Sequence, residues 1–202
     1  MVPFQSLLIL IWPVLFDTSP KEEVINWKVT RDSMLEVLGT TNVSKFTCEN
    51  YEYTGQEYLI QRIPEGQEVG QWSGEVRITS RNFDCDNELM TKDFKKTIEV
   101  EKFPTITVKF LGLTKASETP TQKNLMGQVE ITMVGISRIY DISCVFLASQ
   151  NNSALLSGER RIQLSDFNIE PPEKFFGALK VSDSIAVNFY LVLERQDLMT
   201  SD

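Results

Sequence analysis

The sequence predicts an all-β fold, an antiparallel up-and-down barrel carrying one amphipathic helix near residues 86–100. Three observations carry that expectation. Apolar residues alternate with period two in segment after segment. The clearest case is Ile185, Val187, Phe189, Leu191 and Leu193, with Ala186, Asn188, Tyr190 and Val192 on the other face. One stretch switches to helical spacing, where Met90, Phe94 and Ile98 recur at i, i+4 and i+8. No strand–helix–strand rhythm is present, which disfavours a parallel sheet. Closing many antiparallel strands into a barrel removes their unpaired edges.

Residues 1–20 read as a secretory leader. Leu7 to Phe16 is an apolar run, shorter than the roughly 20 residues that span a bilayer, and Asp17-Thr18-Ser19-Pro20 breaks it. No Lys or Arg precedes the run and no A-x-A cleavage pattern follows it. The alternative is a buried N-terminal strand, which Trp12-Pro13 disfavours. With no Cys in this segment, a lipoprotein anchor is not expected, and no later segment approaches transmembrane length.

Residues 21–202 read as a single domain. Trp27 to Leu38 opens the sheet, followed by strands at Asn42–Cys48 and Glu57–Ile63 and a turn at Pro64-Glu65-Gly66-Gln67. Trp72, Gly74, Val76 and Ile78 then alternate with Ser73, Glu75, Arg77 and Thr79. Asp86 or Asn87 is placed to cap the helix, which spans about four turns. Ile106, Val108 and Phe110 oppose Thr105, Thr107 and Lys109. The polar stretch Thr114–Asn124, with Pro120, is expected as a loop. Val129, Ile131 and Met133 resume the pattern, Gly135 marks a bend or bulge, and Tyr140, Ile142, Cys144 and Phe146 continue the apolar face. Near the end, Pro171-Pro172 forbids a regular ladder before a turn at Gly177–Asp183 leads into the last strand.

Composition narrows the function. At 202 residues and 42% hydrophobic content the chain suits one sizeable core. A net charge of −8 argues against nucleic-acid binding, because phosphate contacts need clustered Lys and Arg. Lys95-Lys96 and Arg160-Arg161 read as solvated faces. The chain has no histidine, which removes the commonest general base and most nucleophile, zinc and haem arrangements. No C-x-x-C, G-x-S-x-G, S-x-x-K or Walker-type loop is present. Asp84, Asp86 and Glu88 lack the glycine and distal Glu of a calcium loop, and read as acids at a helix start. Glu99 and Glu101, one residue apart on an extended segment, read as surface charges rather than a glycosidase pair. The expectation is a non-enzyme without cofactor or metal.

Order of motifs then adds a resemblance. Asp166-Phe167-Asn168-Ile169, Pro171-Pro172 and Gly177-Ala178-Leu179-Lys180-Val181-Ser182-Asp183 resemble the C-terminal signature of the YceI-like family, a DFGI-type segment and Pro pair before a G-x-x-K-V-x-D turn. Val129–Tyr140 is similar to the family's paired strands, Phe83–Met90 with Lys92-Asp93-Phe94 to its helical crossing, and Phe103-Pro104-Thr105-Ile106 to the strand after it. Gly39–Cys48 resembles the N-terminal part of members from Bacteroidetes-type bacteria. Two departures stand out. Asn168 occupies a position where Gly is common, and Thr40–Phe46 replaces a segment in which relatives often carry a His.

The resemblance covers residues 27–194 and implies an eight-stranded, lipocalin-like antiparallel barrel. Some members of the family hold a polyisoprenoid inside. It therefore implies an exported, periplasmic or secreted carrier or sequestering protein for an isoprenoid, quinone or other lipid-like apolar chain. The implied lining is the apolar face of successive strands: Ile106, Val108, Phe110, Ile131, Met133, Ile142, Phe146, Val187, Phe189 and Leu191. Residue types alone point the other way. An eight-stranded barrel is only just wide enough for its own side chains, and Phe110, Met133, Tyr140, Phe146 and Phe189 are large enough to plug it. The alternative is thus a ligand-free envelope interaction or stress-associated module with a packed core. Relatives of this branch often carry cysteines at the positions of Cys48 and Cys85, which implies a disulfide between them; two reduced thiols are the alternative. Cys144 reads as a small buried hydrophobe.

Overall fold

Among the described residues, which are 22–196 apart from 54, 68–69, 120–121 and 150, the computed structural model contains twelve strands and one α-helix. They are β1 (Glu22–Val29), β2 (Met34–Thr40), β3 (Lys45–Asn50), β4 (Tyr58–Pro64), β5 (Gln71–Thr79), α1 (Glu88–Thr97), β6 (Thr105–Thr119), β7 (Gln122–Met133), β8 (Ile136–Ala148), β9 (Ser153–Gln163), β10 (Glu173–Lys174), β11 (Leu179–Lys180) and β12 (Ser184–Gln196). Eight of these close into an antiparallel barrel in the order β1–β4–β5–β6–β7–β8–β9–β12, and β12 returns to β1. The leader expected at 1–20 lies outside the described residues.

Period-two alternation positions the core as expected. Along β12, Ile185, Phe189, Leu191 and Leu193 are buried and Val187 packs against them. The ladder itself departs from the sequence reading in three places.

Trp27 to Leu38 is two strands rather than one. The turn Thr30–Ser33, closed by Ser33 N–H donating to the Thr30 carbonyl (3.2 Å), passes the edge of β12 from β1 to β2. β2 pairs with Ala186–Tyr190, and β1 with Leu193–Gln196. Val192 falls between them, and local side and main chain replace the missing ladder. Its N–H donates to Ser33 Oγ (3.0 Å), and its carbonyl accepts from Thr30 N–H (2.9 Å). An unpaired backbone group there would be costly.

The polar stretch Thr114–Asn124 is not a loop. β6 and β7 extend into it from either side, paired out to Thr119↔Gln122. Ladder bonds are main-chain bonds and do not require apolar side chains, so polarity is a poor guide where both faces meet water. Buried Leu113 and Leu125 mark where this arm joins the core.

The helix is shorter than 86–100. Asn87 caps it, its side chain accepting from Met90 N–H (3.1 Å). It stops after Thr97 because Glu99 takes a left-handed conformation (φ 48°), with Glu99 N–H donating to the Lys96 carbonyl and Val100 N–H to that of Lys95. That pair of bonds is a Schellman cap with Glu where Gly is usual. Glu99 is therefore part of a helix end, not of an extended segment, and Glu101 forms a two-bond pair with Arg81 at 2.6 and 2.7 Å. Gly135 lies in a tight β7–β8 turn with Val134, both at positive φ.

Cys48 and Cys85 are joined by a disulfide, and Cys144 is free and buried.

Candidate functional site

β5, β7 and β9 run out at one end of the barrel and β6, β8 and β12 begin there, with α1 crossing between β5 and β6. We call this end the mouth. The other end is closed by rings. Trp27 and Trp72 stack with centroids 5.9 Å apart, and Phe146 meets them at 5.6 and 5.0 Å. Trp27 Nε1 donates to buried Gln61 Oε1 (2.9 Å), so its polar atom is satisfied inside.

Between plug and mouth lies an apolar chamber of about 60 Å³. Its wall includes Leu35 from β2, Val76 and Ile78 from β5, Val108 and Phe110 from β6, Val129 and Ile131 from β7, Ile142 from β8, and Val187, Phe189 and Leu191 from β12. Seven of the ten positions expected from sequence stand in this wall: Val108, Phe110, Ile131, Ile142, Val187, Phe189 and Leu191. The other three do not line it. Phe146 belongs to the plug, and Ile106 and Met133 are buried in the core outside the chamber. Val76, Ile78 and Val129 carry the same alternation and were legible by the same rule.

Four polar residues also line the chamber: Ser33, Asn50, Tyr53 and Arg160. Ser33 is engaged with Val192. Asn50 Nδ2 donates to the Thr79 carbonyl (2.9 Å), tying β3 to the end of β5. The Tyr53 hydroxyl bonds the Glu57 carboxylate, and burial first, then that carboxylate, raises its pKa. Arg160 lies over the Tyr140 ring at 5.3 Å, and the Tyr140 hydroxyl donates to Asp166 Oδ2 (2.8 Å). Burial, then the Asp166 bond, raises the Tyr140 pKa. The Arg160-Arg161 pair is therefore divided. Arg161 is a solvated face as expected, while Arg160 reaches the interior.

A groove of about 410 Å³ opens at the mouth. Leu89, Met90 and Phe94 of α1, Val37 and Phe46 of the β2–β3 hairpin, Ile185 of β12, and Pro172, Phe175, Leu179 and Val181 enclose it. The groove and the chamber share strands. Leu35 and Val187 face the chamber, and Val37 and Ile185, one step further along the same inner faces, face the groove. An ion pair spans the opening, with Lys174 Nζ 2.8 and 2.9 Å from the two Asp93 carboxylate oxygens.

Phe175 and Phe176 form the tip of the β10–β11 hairpin. Gly177 N–H donates to the Lys174 carbonyl (3.2 Å), and both Phe residues have positive φ (54° and 57°). Asn-Gly normally fills such a turn, because a side chain at positive φ is strained. Both rings are exposed. Nothing in residue type predicts that conformation.

No group of three or more Cys, Asp or Glu side chains positioned to hold a metal occurs among the described residues. Asp84 Oδ1 instead accepts from Thr91 Oγ1 and from Asp86 N–H. No helix there is long and apolar enough to cross a membrane.

With this geometry in place, the chain belongs to the YceI-like domain family, whose profile matches residues 19–193. Among solved structures it is similar to Burkholderia cenocepacia BcnA, with a TM-score of 0.62 and 15% identity over 81% of this chain and 98% of that one. It is also similar to a polyisoprenoid binding domain from Saccharophagus degradans implicated in plant cell wall breakdown. There the TM-score is 0.58 and the identity 12%, over 86% of this chain and 100% of that one. At these identities the likeness is one of fold. No curated protein matches the sequence.

Proposed function

We propose that this protein is an exported, non-enzymatic carrier that holds an isoprenoid, quinone or other lipid-like apolar chain inside its barrel. One observation carries the reading: a continuous apolar surface runs from the mouth groove into the chamber along β2 and β12. Membership of the YceI-like family and the polyisoprenoid-binding description of the Saccharophagus degradans relative support it. The Cys48–Cys85 disulfide supports an oxidising compartment, periplasmic or extracellular.

Magnitudes shape the mechanism. Each isoprene unit gains roughly 3–4 kcal/mol gross on full burial, and association costs roughly 4–15 kcal/mol before net affinity appears. Retention therefore needs several units. A chamber of about 60 Å³ has room for only a few water-sized spheres, each needing about 10–15 Å³. A long chain must displace side chains such as Phe110 and Phe189, whereas the groove accepts its first units without rearrangement. Helix α1 and the β10–β11 hairpin, joined by Lys174–Asp93, then govern access.

The same small volume favours a second reading, a packed barrel serving as an envelope interaction or stress-associated module. Val108→Phe and Val187→Phe separate the two, since both residues line the chamber and are only partly buried. Native mass spectrometry on protein purified without detergent should find a lipid on the wild type and lose it on the filled variants. Folded variants that keep their lipid would place it outside the barrel, and a bare wild type would favour the packed module. N-terminal sequencing of exported protein checks the leader, with a mature start expected between residues 17 and 24.

A further inference from the structure

The chamber wall changes character where β8 and β9 part. The two strands pair from Cys144↔Gly158 to Ala148↔Ala154, and toward the mouth no ladder joins them. Gly158 stands at this fork with no space for a side chain. A Cβ there would lie 2.7 Å from Phe189 Cζ and 2.8 Å from the Ser143 carbonyl oxygen. Further along, the 3-10 turn Leu164–Phe167 reaches β8 through the Tyr140–Asp166 hydrogen bond. Between fork and turn comes Arg160. Together with Ile142 it lines both the chamber and an outer recess of about 490 Å³, so the wall here is one side chain thick.

The Arg160 guanidinium lies over the Tyr140 ring and makes no side-chain hydrogen bond or ion pair among the described residues. Its Nε is buried without an acceptor, a costly arrangement for a guanidinium unless something supplies one. The carboxylates around it are already engaged. Asp166 accepts from Tyr140 (2.8 Å), Asp141 from Gln128 (3.0 Å), and Glu159 faces Arg161 at 3.9 Å. No Asp or Glu lines the chamber, so Arg160 is its only formal charge.

An apolar chamber whose wall carries one cation, its Nε unpaired and its guanidinium over the Tyr140 ring, is complementary to a long chain ending in one anionic group. A guanidinium offers planar, paired donors that match a carboxylate or phosphate. We infer that Arg160 holds the acidic head, carboxylate or phosphate, of an amphiphile whose chain lies in the chamber. This site rests on the barrel reading above and narrows it from apolar chains in general to acidic ones.

The test compares matched heads on the same chain: oleate against oleyl alcohol, and farnesyl phosphate against farnesol, titrated into the full-length protein by calorimetry. Wild type should bind the acid of at least one pair about tenfold more tightly than its alcohol. Which pair shows the preference separates a carboxylate source from a phosphate source. Arg160→Met, which keeps an unbranched apolar stem over Tyr140, should abolish the preference by weakening the acid about tenfold relative to its alcohol. Arg160→Lys should keep part of it. If wild type binds acid and alcohol equally, the head-group site fails and the barrel reading stands. If none of the four binds, both fail. A folded Arg160→Met protein that retains the acid preference also overturns the site. The wild-type comparison needs no substitution, so a variant that fails to fold does not shield the inference.

Discussion

The two ends of this barrel are held by different forces. At the closed end, Trp27, Trp72 and Phe146 fill the cross-section, and β1 and β4 complete a ladder with β12 and β5. At the mouth, β2 and β3 stand where β1 and β4 would be, and β3 joins the next segment through one backbone bridge, Glu49↔Asp84, beside the Cys48–Cys85 disulfide. Packing secures the first end and a covalent link secures the second. The difference teaches that an end left open, as the proposed carrier requires, is not filled with rings, so its wall is anchored by a bond that needs no buried volume. Desolvation first, and then the charges of Asp86 and Glu36, raise the pKa of Glu49.

The largest test lies at the plug. Trp72 is almost fully buried, and Trp72→Ala should cost about 3–5 kcal/mol in equilibrium denaturation. A loss below about 1 kcal/mol would mean that the rings cover the end without holding it. Next comes the mouth staple. Replacing Cys48 and Cys85 by Ala opens a loop of 37 residues, worth about 3–4 kcal/mol in the chain-entropy model. Hydrogen exchange should show β2, β3 and α1 losing protection first. Equal loss in β6 and β7 would erase the distinction between the ends.

Phe175→Ser with Phe176→Ser should change stability by no more than about 0.5 kcal/mol, since both rings are exposed, yet slow the uptake of an apolar chain. Stopped-flow lipid binding reads this, and an unchanged rate would remove the hairpin tip from the access route. The smallest effect concerns Cys144, in the wall close to the Gly158 fork. Burial pushes its thiol up to about 12 from an ordinary value near 9. The neutral thiol is therefore favoured by folding. That contribution is complete below pH 9 and is lost as pH rises toward 12, where the unfolded chain releases the proton first. At pH 8 the native protein should show no alkylatable thiol, one after unfolding, and three after reduction. A reactive native Cys144 would show that the chamber wall is open there.

Much of the fold was legible because alternation is local. A residue's face in a strand follows from its position, so the inner faces of β5, β6, β7, β8 and β12 could be marked on the chain, and Met90, Phe94 and Ile98 marked the helix. Legibility failed where burial was not the organising force. The polar β6–β7 arm is held by main-chain bonds, and Glu99 ends α1 through a backbone conformation that Gly usually adopts. Arg160 and Arg161 are adjacent and chemically identical, and only the pleat separates the one that reaches the chamber from the one in water.

The sequence by itself determined the fold class, the family likeness, the absence of histidine chemistry and the set of side chains available to an interior, because each depends on composition or on near neighbours in the chain. Tertiary structure decided which of those side chains plug, line or escape the chamber. Phe146 and Phe189 lie on strands of the same alternating type, and their separate fates follow from height along the barrel. Phe146 sits level with Trp27 and Trp72, while Phe189 sits level with Leu35 and Gly158. That height is set by register between strands far apart in sequence, which local spacing does not encode.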